Sequence, residues 1–441
     1  MRYDVTADRI LADGVAREHW YFRVENGVIT RSGPLSAREP DSPQTPELKR
    51  FDDALVIPGL VNSHTHSFQS LLKGFCDDRD FFTWRDQALY RYAAILTEED
   101  IYTGALFAFA EMLKTGVTTV CDFFYIHDQA NANANAVIRA ARDLGMRITM
   151  ARTMYDWQRA PARFQETVAQ AVTHTRALHA QWRPDPMVHV IPAPHSLHGA
   201  SLPMIEAGAA LAEELDTVFH MHVAEGQYER EMMLREHGHT PIALLEARQV
   251  LNPRLTAIHC VWLDDEDIER MASGGAMLSY NPSSNMFLGD GVTRIAAMLK
   301  AGITIALGTD GGCSNNRASV VEEMRMTSLL QKVTHCDGTV ITAADVLSMA
   351  TVNGGRALGL PLGVLAAGHA ADFTVVSLQD LSMQPRQNAL NNLVYSSQPS
   401  AVQAVYVAGG PVFCNGRFTR LDEDVIIRRV QQTTGRWSAP V

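Results

Sequence analysis

His64 and His66 stand in NSHTH, His220 and His222 in FHMHVAE, His259 in AIHC and Asp310 in GTDGG. Imidazole and carboxylate are good zinc ligands, and a catalytic zinc keeps one position open for water. Glu225 follows His222 by three residues, where a carboxyl group could shuttle a proton. Taken singly, each group has an ordinary explanation. A histidine at a strand end is more often a hydrogen-bonded structural residue. The aspartate of TDG could be a turn former or a helix cap. Glu225 could be a solvated acid before a helix. Their recurrence at four separate strand ends favours a metal site over these separate accounts.

The elements that must position them follow from the apolar pattern. Eight strand-like runs occur: ALVIPGLVNSH, VTTVCDFFY, MRITMARTM, MVHVIPAPH, TVFHMHVAE, LTAIHCVWL, AMLSYNPSS and ITIALGTDG. Amphipathic stretches separate them. In TEEDIYTGALFAFAEMLKTG, Thr97 can cap a helix, acids fill its first turn and Gly116 can end it. VTRIAAMLKAG ends at Gly302. This alternation predicts an α/β chain whose residues 58–365 form a (β/α)8 TIM-like barrel. The C-terminal strand ends of such a barrel share one mouth, and residues i and i+2 of a strand point the same way. His64 and His66 can therefore face one site. Residues 1–57 and 366–441 read differently. HWYFRVENGVITRSG, DFTVVSL and AVYVAGGPVFCNGRFTR look like strands with glycine turns. They predict a small β-sandwich domain formed by both chain ends.

Composition narrows the partners. The chain has 441 residues, 46% of them hydrophobic, and a net charge of −11. That charge, with no long basic run, argues against nucleic acid and against an anionic membrane. The N-terminus, MRYDVTADRI, has no apolar signal core, and no apolar stretch is long enough to span a bilayer. Six cysteines without a CxxC pair read as reduced thiols. The expectation is a cytoplasmic protein acting on a small polar substrate. The missing cysteine pair also excludes the zinc deaminase fold that carries an HxE…PCxxC signature.

PGLVNSHTH, FHMHVAE, AIHC, NPSSNMFLGDG and GTDGGCSNN, in this order, resemble the amidohydrolase superfamily. The likeness is to its aminohydrolase and triazine hydrolase branch, which includes deaminases of N-heterocycles. It extends through HAADFTVVSL near the C-terminus. The resemblance implies that His64, His66, His222 and Asp310 hold one divalent metal. Zn2+ is expected, and Fe2+ or Mn2+ suit the same ligands. It implies that Glu225 is the proton shuttle and that His259 hydrogen-bonds the metal-bound water or the developing oxyanion. Asp310 would also accept a proton from that water. VHVIPAPH offers no lysine to bridge a second metal. A homodimer or higher homo-oligomer is implied as well.

SFQSLLKGF, FFTWRD, DFFYIHD and APHSLHGAS resemble formimidoylglutamate deiminase. That likeness implies Gln69, Arg85, Tyr125 and His195 around the substrate. Trp84, beside Arg85, could line the pocket too, although aromatics near a barrel mouth are as often packing residues. The chain departs from that family at His198, where an arginine grips a substrate carboxylate. GTDGGCSNNR also follows the heterocycle deaminases instead. Tyr280 stands where many relatives of the broader branch carry histidine. Ser284 and Asn285 are expected to set the loop after the seventh strand without a catalytic part. The expected function is hydrolytic release of ammonia from an aminated N-heterocycle or amidine by metal-bound hydroxide. The alternatives are an N-formimidoyl amino acid iminohydrolase, a triazine-type chlorohydrolase or aminohydrolase, and an inactive barrel used as a binding protein.

Overall fold

The computed structural model describes residues 1–40 and 42–437. The eight runs become two four-stranded parallel sheets. The first holds β1 (Leu60–Thr65), β2 (Val117–Phe124), β3 (Arg147–Met154) and β4 (Val188–Pro194). The second holds β5 (Phe219–Val223), β6 (Leu255–His259), β7 (Met277–Tyr280) and β8 (Ile305–Leu307). Strands β2 and β3 are buried at every residue, as strands covered on both faces must be. The two sheets meet where His222 N donates to His195 O, at 3.0 Å. They meet again where Thr309 N and Asp310 N both donate to His64 O, each at 3.0 Å. The architecture is of the TIM-barrel type.

Helices form where the sequence signals them. Thr97 and Asp100 make a capping box at the start of the helix Glu98–Lys114, and Gly116 follows its end at φ 88°. The helix Ile295–Lys300 stops before Gly302.

The first run, Ala54 to His64, does not remain one strand. It divides at Gly59, between Glu47–Pro58 and β1. A Cβ on Gly59 would lie 2.1 Å from Thr118 Oγ1, so only glycine lets the chain pass β2 this closely. Before Gly59, the chain belongs to a nine-stranded sheet drawn from both chain ends. There, Glu47–Pro58 pairs parallel with Arg2–Ala12 and antiparallel with Phe373–Ser377. Trp20–Glu25 pairs with Val28–Pro34 on one side, and Val402–Val407 with Gly410–Cys414 on the other. This sheet has its own core, in which Phe373 stacks on Tyr406 at 4.4 Å. It is tied to β3 by a buried ion pair, Arg147 Nε to Asp372 Oδ2 at 2.7 Å.

All six cysteines are unpaired. Among the described residues, no helix is long and apolar enough to cross a membrane.

Candidate active site

The C-terminal ends of the parallel strands carry the chemistry-bearing side chains. His64 Nε2 and His66 Nε2 each lie 3.3 Å from Asp310 Oδ1. His222 Nε2 lies 3.3 Å from His64 Nε2. Ligand atoms of His64, His66 and Asp310 fall within 4.8 Å of one another, and so do those of His64, His222 and His259. His259 and Asp310 hold positive φ values of 71° and 58°. Non-glycine residues adopt that conformation only when the surroundings enforce it. Here it occurs at two of the strand ends that carry this site.

Hydrogen bonds set which ring nitrogen is free. His66 Nδ1 bonds Phe123 O at 2.6 Å, and His222 Nδ1 bonds His195 O at 2.9 Å. A carbonyl can only accept, so these Nδ1 atoms donate. The Nε2 lone pairs are left pointing at the cluster, as metal-ligating histidines require. Burial lowers the pKa of His66 and His222, takes His64 down to about 3 and His259 down to about 4. Neutral imidazoles are the ligating form. Burial alone would raise Asp310, but the hydrogen bond from His64 and the neighbouring histidines hold it well below the usual carboxylate range. Its Oδ2 accepts from Ser284 Oγ at 2.5 Å and Ser314 Oγ at 3.2 Å. Three neutral imidazoles and one carboxylate converge on a buried point, a donor set that fits a divalent ion such as zinc.

Glu225 is buried, and its Oε1 lies 3.4 Å from His259 Nε2. Burial, and then the carboxylates of Asp290, Asp310 and Glu229, push its pKa well above the usual range. It is therefore an acid able to donate a proton near neutral pH. Asn285 Nδ2 donates to His259 Nδ1 at 3.1 Å, which puts the His259 proton on Nε2, towards Glu225.

Next to this cluster is a cavity of about 190 Å³. Gln69, Trp84, Arg85, Tyr125, His195 and His198 all line it, together with His66, His222, Glu225, His259 and Asp310. The sequence-derived residues are thus brought together. Gln69 Nε2 donates to Tyr125 Oη at 2.7 Å, and Cys313 Sγ donates to Gln69 Oε1 at 3.3 Å. Gly311 admits this amide, because a Cβ there would sit 1.7 Å from Gln69 Oε1. Trp84 lines the cavity and also donates its indole N–H to Cys313 O at 2.8 Å. Arg85 pairs with its neighbour Asp86 at 2.8 Å, yet also lies over Tyr90 and Trp157 of the cavity wall. His198 sits between Glu229, at 3.3 Å, and Tyr228, at 3.5 Å. His220 faces elsewhere, with Nε2 bonded to Ala357 O at 3.0 Å. Tyr280 is fully buried and outside the cavity lining.

Sequence reasoning missed several contributors. Ser284 and Ser314 orient Asp310, and Asn285 orients His259. The sequence predicts only a loop-setting part for Ser284 and Asn285. Tyr90, Tyr155, Trp157, Phe164 and Tyr228 build an aromatic wall. No local pattern marks them, because they come from three different inter-strand segments.

The fold and the site define a TIM-barrel-type α/β protein with a buried histidine–aspartate cluster at its strand ends whose donor set fits a divalent metal. The amidohydrolase family model matches residues 55–412, and the chain belongs to that family. A 5-methylthioadenosine/S-adenosylhomocysteine deaminase of Syntrophus aciditrophicus is 35% identical over 423 residues, covering 94% of this chain and 93% of the relative. The zinc-bound crystal structure of an adenosine deaminase from Xanthomonas campestris superposes with a TM-score of 0.91 at 29% identity, covering 98% of both chains. Atrazine chlorohydrolase from Arthrobacter aurescens has the same fold, with a TM-score of 0.91 over 98% of this chain and 99% of that one, at 24% identity.

Proposed function

We propose that this protein is a hydrolytic deaminase that releases ammonia from an aminated N-heterocycle, using one divalent metal held by His64, His66, His222 and Asp310. The observation that carries this reading is the placement of Glu225, His259 and Asp310, whose reactive atoms lie within 4.8 Å of one another beside the histidines. The deaminase names of the Syntrophus relative and the Xanthomonas neighbour support it. A bound divalent metal acts as a Lewis acid that lowers the pKa of coordinated water from about 16 to about 7. Asp310, ionised and fixed by two serine hydroxyls, accepts the proton of the attacking water. Glu225, kept protonated by burial, donates to the ring nitrogen beside the carbon under attack. The carboxylate left behind then takes the proton of the newly added hydroxyl group and delivers it to the departing amine, as the carbon–oxygen double bond forms and the carbon–nitrogen bond breaks. His259 donates its Nε2 hydrogen to the oxygen of the tetrahedral intermediate. Gln69, Trp84, Arg85, Tyr125, His195 and His198 form the substrate pocket.

The N-formimidoyl reading loses support at His198, which lies between Glu229 and Tyr228 in place of a carboxylate-gripping arginine. One metal is favoured because Pro192, Ala193 and Pro194 end β4, with no lysine to bridge two. We read the two parallel sheets, joined along both seams, as one closed (β/α)8 barrel over residues 58–365. Residues 1–57 and 366–441 then form one composite β domain.

The test is an ammonia-release screen of purines, pterins, pyrimidines, triazines and formimidoyl amino acids, combined with metal analysis. We expect about one equivalent of divalent metal, loss of activity on chelation, and recovery on adding zinc back. A folded protein that holds no metal and releases no ammonia would instead be a binding protein.

A further inference from the structure

The cavity beside the cluster measures about 190 Å³. That is below the roughly 300 Å³ at which pockets for drug-sized ligands begin. One reacting water takes about 10–15 Å³ of such a space. Aromatic side chains from opposite sides reach across the mouth. Phe81 and Phe82 follow β1, Tyr228 follows β5, and their rings meet at 5.6 Å and 5.3 Å. These rings already touch one another, so they close the mouth over the small space beneath, and a puckered sugar with a 5′ substituent must hold them apart.

The polar lining points the same way. A ribose diol is characteristically held by a carboxylate. Among the described residues lining the cavity, the carboxylates are Glu225 and Asp310, both assigned above to proton transfer. Glu229 is fully buried and faces His198, out of reach of a sugar. Arg85 offers the opposite chemistry. Its Nε goes to Asp86, and among the described residues no hydrogen bond uses its Nη1 or Nη2. Its guanidinium lies 5.0 Å from the ring centre of Tyr90 and 5.9 Å from that of Trp157. A planar cationic fork held against aromatic rings suits a ring carbonyl or the anion of an ionised lactam.

We infer that the substrate is a sugar-free, flat heterocycle of one or two rings, bearing both the amine that leaves and a ring carbonyl for Arg85. This rests on the deaminase reading, and it separates the protein from relatives named for 5′-substituted adenosines.

The test uses the zinc-reconstituted full chain with matched pairs: guanine and pterin against guanosine, and adenine against adenosine and 5′-methylthioadenosine. We expect kcat/KM for an oxo-bearing free base to exceed that of its nucleoside at least about tenfold. Arg85→Met should raise KM for the oxo bases about tenfold more than KM for adenine. Calorimetry with xanthine and xanthosine reads the fit without turnover. Tighter xanthine binding with no ammonia from any compound keeps this inference and overturns the deaminase reading. A nucleoside that is used or bound as well as its base overturns the inference, and so does the failure of both to bind.

Discussion

Asp310 shows how much depends on one side chain. Its Oδ1 faces His64 and His66, while Oδ2 is held by Ser284 and Ser314. Fixed at both oxygens, the carboxylate cannot rotate away from the cluster. Glu225 differs because burial and nearby carboxylates keep it protonated. Glutamine matches the shape of that neutral acid but cannot give up a proton. Glu225→Gln should therefore keep metal content and melting temperature while kcat falls about 10²- to 10⁴-fold. Ammonia release and metal analysis on the same sample would check this. Turnover within a factor of two of the parent protein would remove Glu225 from the mechanism.

Elements hold these groups by close passage. Gly59 lets the chain leave the terminal sheet and enter β1 against Thr118. Gly59→Ala forces a methyl group into that contact and should cost about 1–3 kcal/mol. Equilibrium urea unfolding would measure the loss, and an unchanged midpoint would show that the strands can part freely. The helix Val320–His335 carries the buried Glu323, which accepts from Ser283 N at 3.0 Å and Asn315 Nδ2 at 2.9 Å. It thereby steadies the segments after β7 and β8. Burial raises its pKa from 4.5 to about 8, against the lowering effect of those hydrogen bonds. A raised folded pKa gives stability that is complete below about 4.5 and lost as pH climbs through 8. Glu323→Gln does not titrate. The melting temperature of the parent protein minus that of the variant should therefore fall as pH rises from 4.5 to 8. A flat or rising difference would contradict a protonated Glu323.

Across the whole molecule, the terminal sheet shares one apolar core with the parallel sheets, through Leu55, Ile57, Val376, Val405 and Phe413, and keeps a smaller core of its own on the other face. Arg147 and Asp372 join them through two hydrogen bonds, at 2.7 and 3.1 Å, and Asp372 Oδ1 also accepts from Ala408 N at 2.7 Å. Asp372→Ala would strand a buried guanidinium and a backbone donor. We expect a loss of about 3–5 kcal/mol, seen as an earlier urea midpoint. A loss below about 1 kcal/mol would mean that apolar contacts alone join the layers.

The sequence by itself determined the strand order, the helix caps and the ligand types. Those are local: alternating apolar runs, Thr97 before a row of acids, and histidines at strand ends. It could not show that the strand breaks at Gly59, because a break at one glycine looks the same as a continuous strand. Nor could it show Ser284, Ser314 and Asn285 orienting the site, since their partners Asp310 and His259 are reached only when β6, β7 and β8 lie side by side. Most of all, the small aromatic cavity belongs to the tertiary structure. Its walls come from segments far apart in the chain, and volume is a property of how they pack, which no stretch of sequence contains.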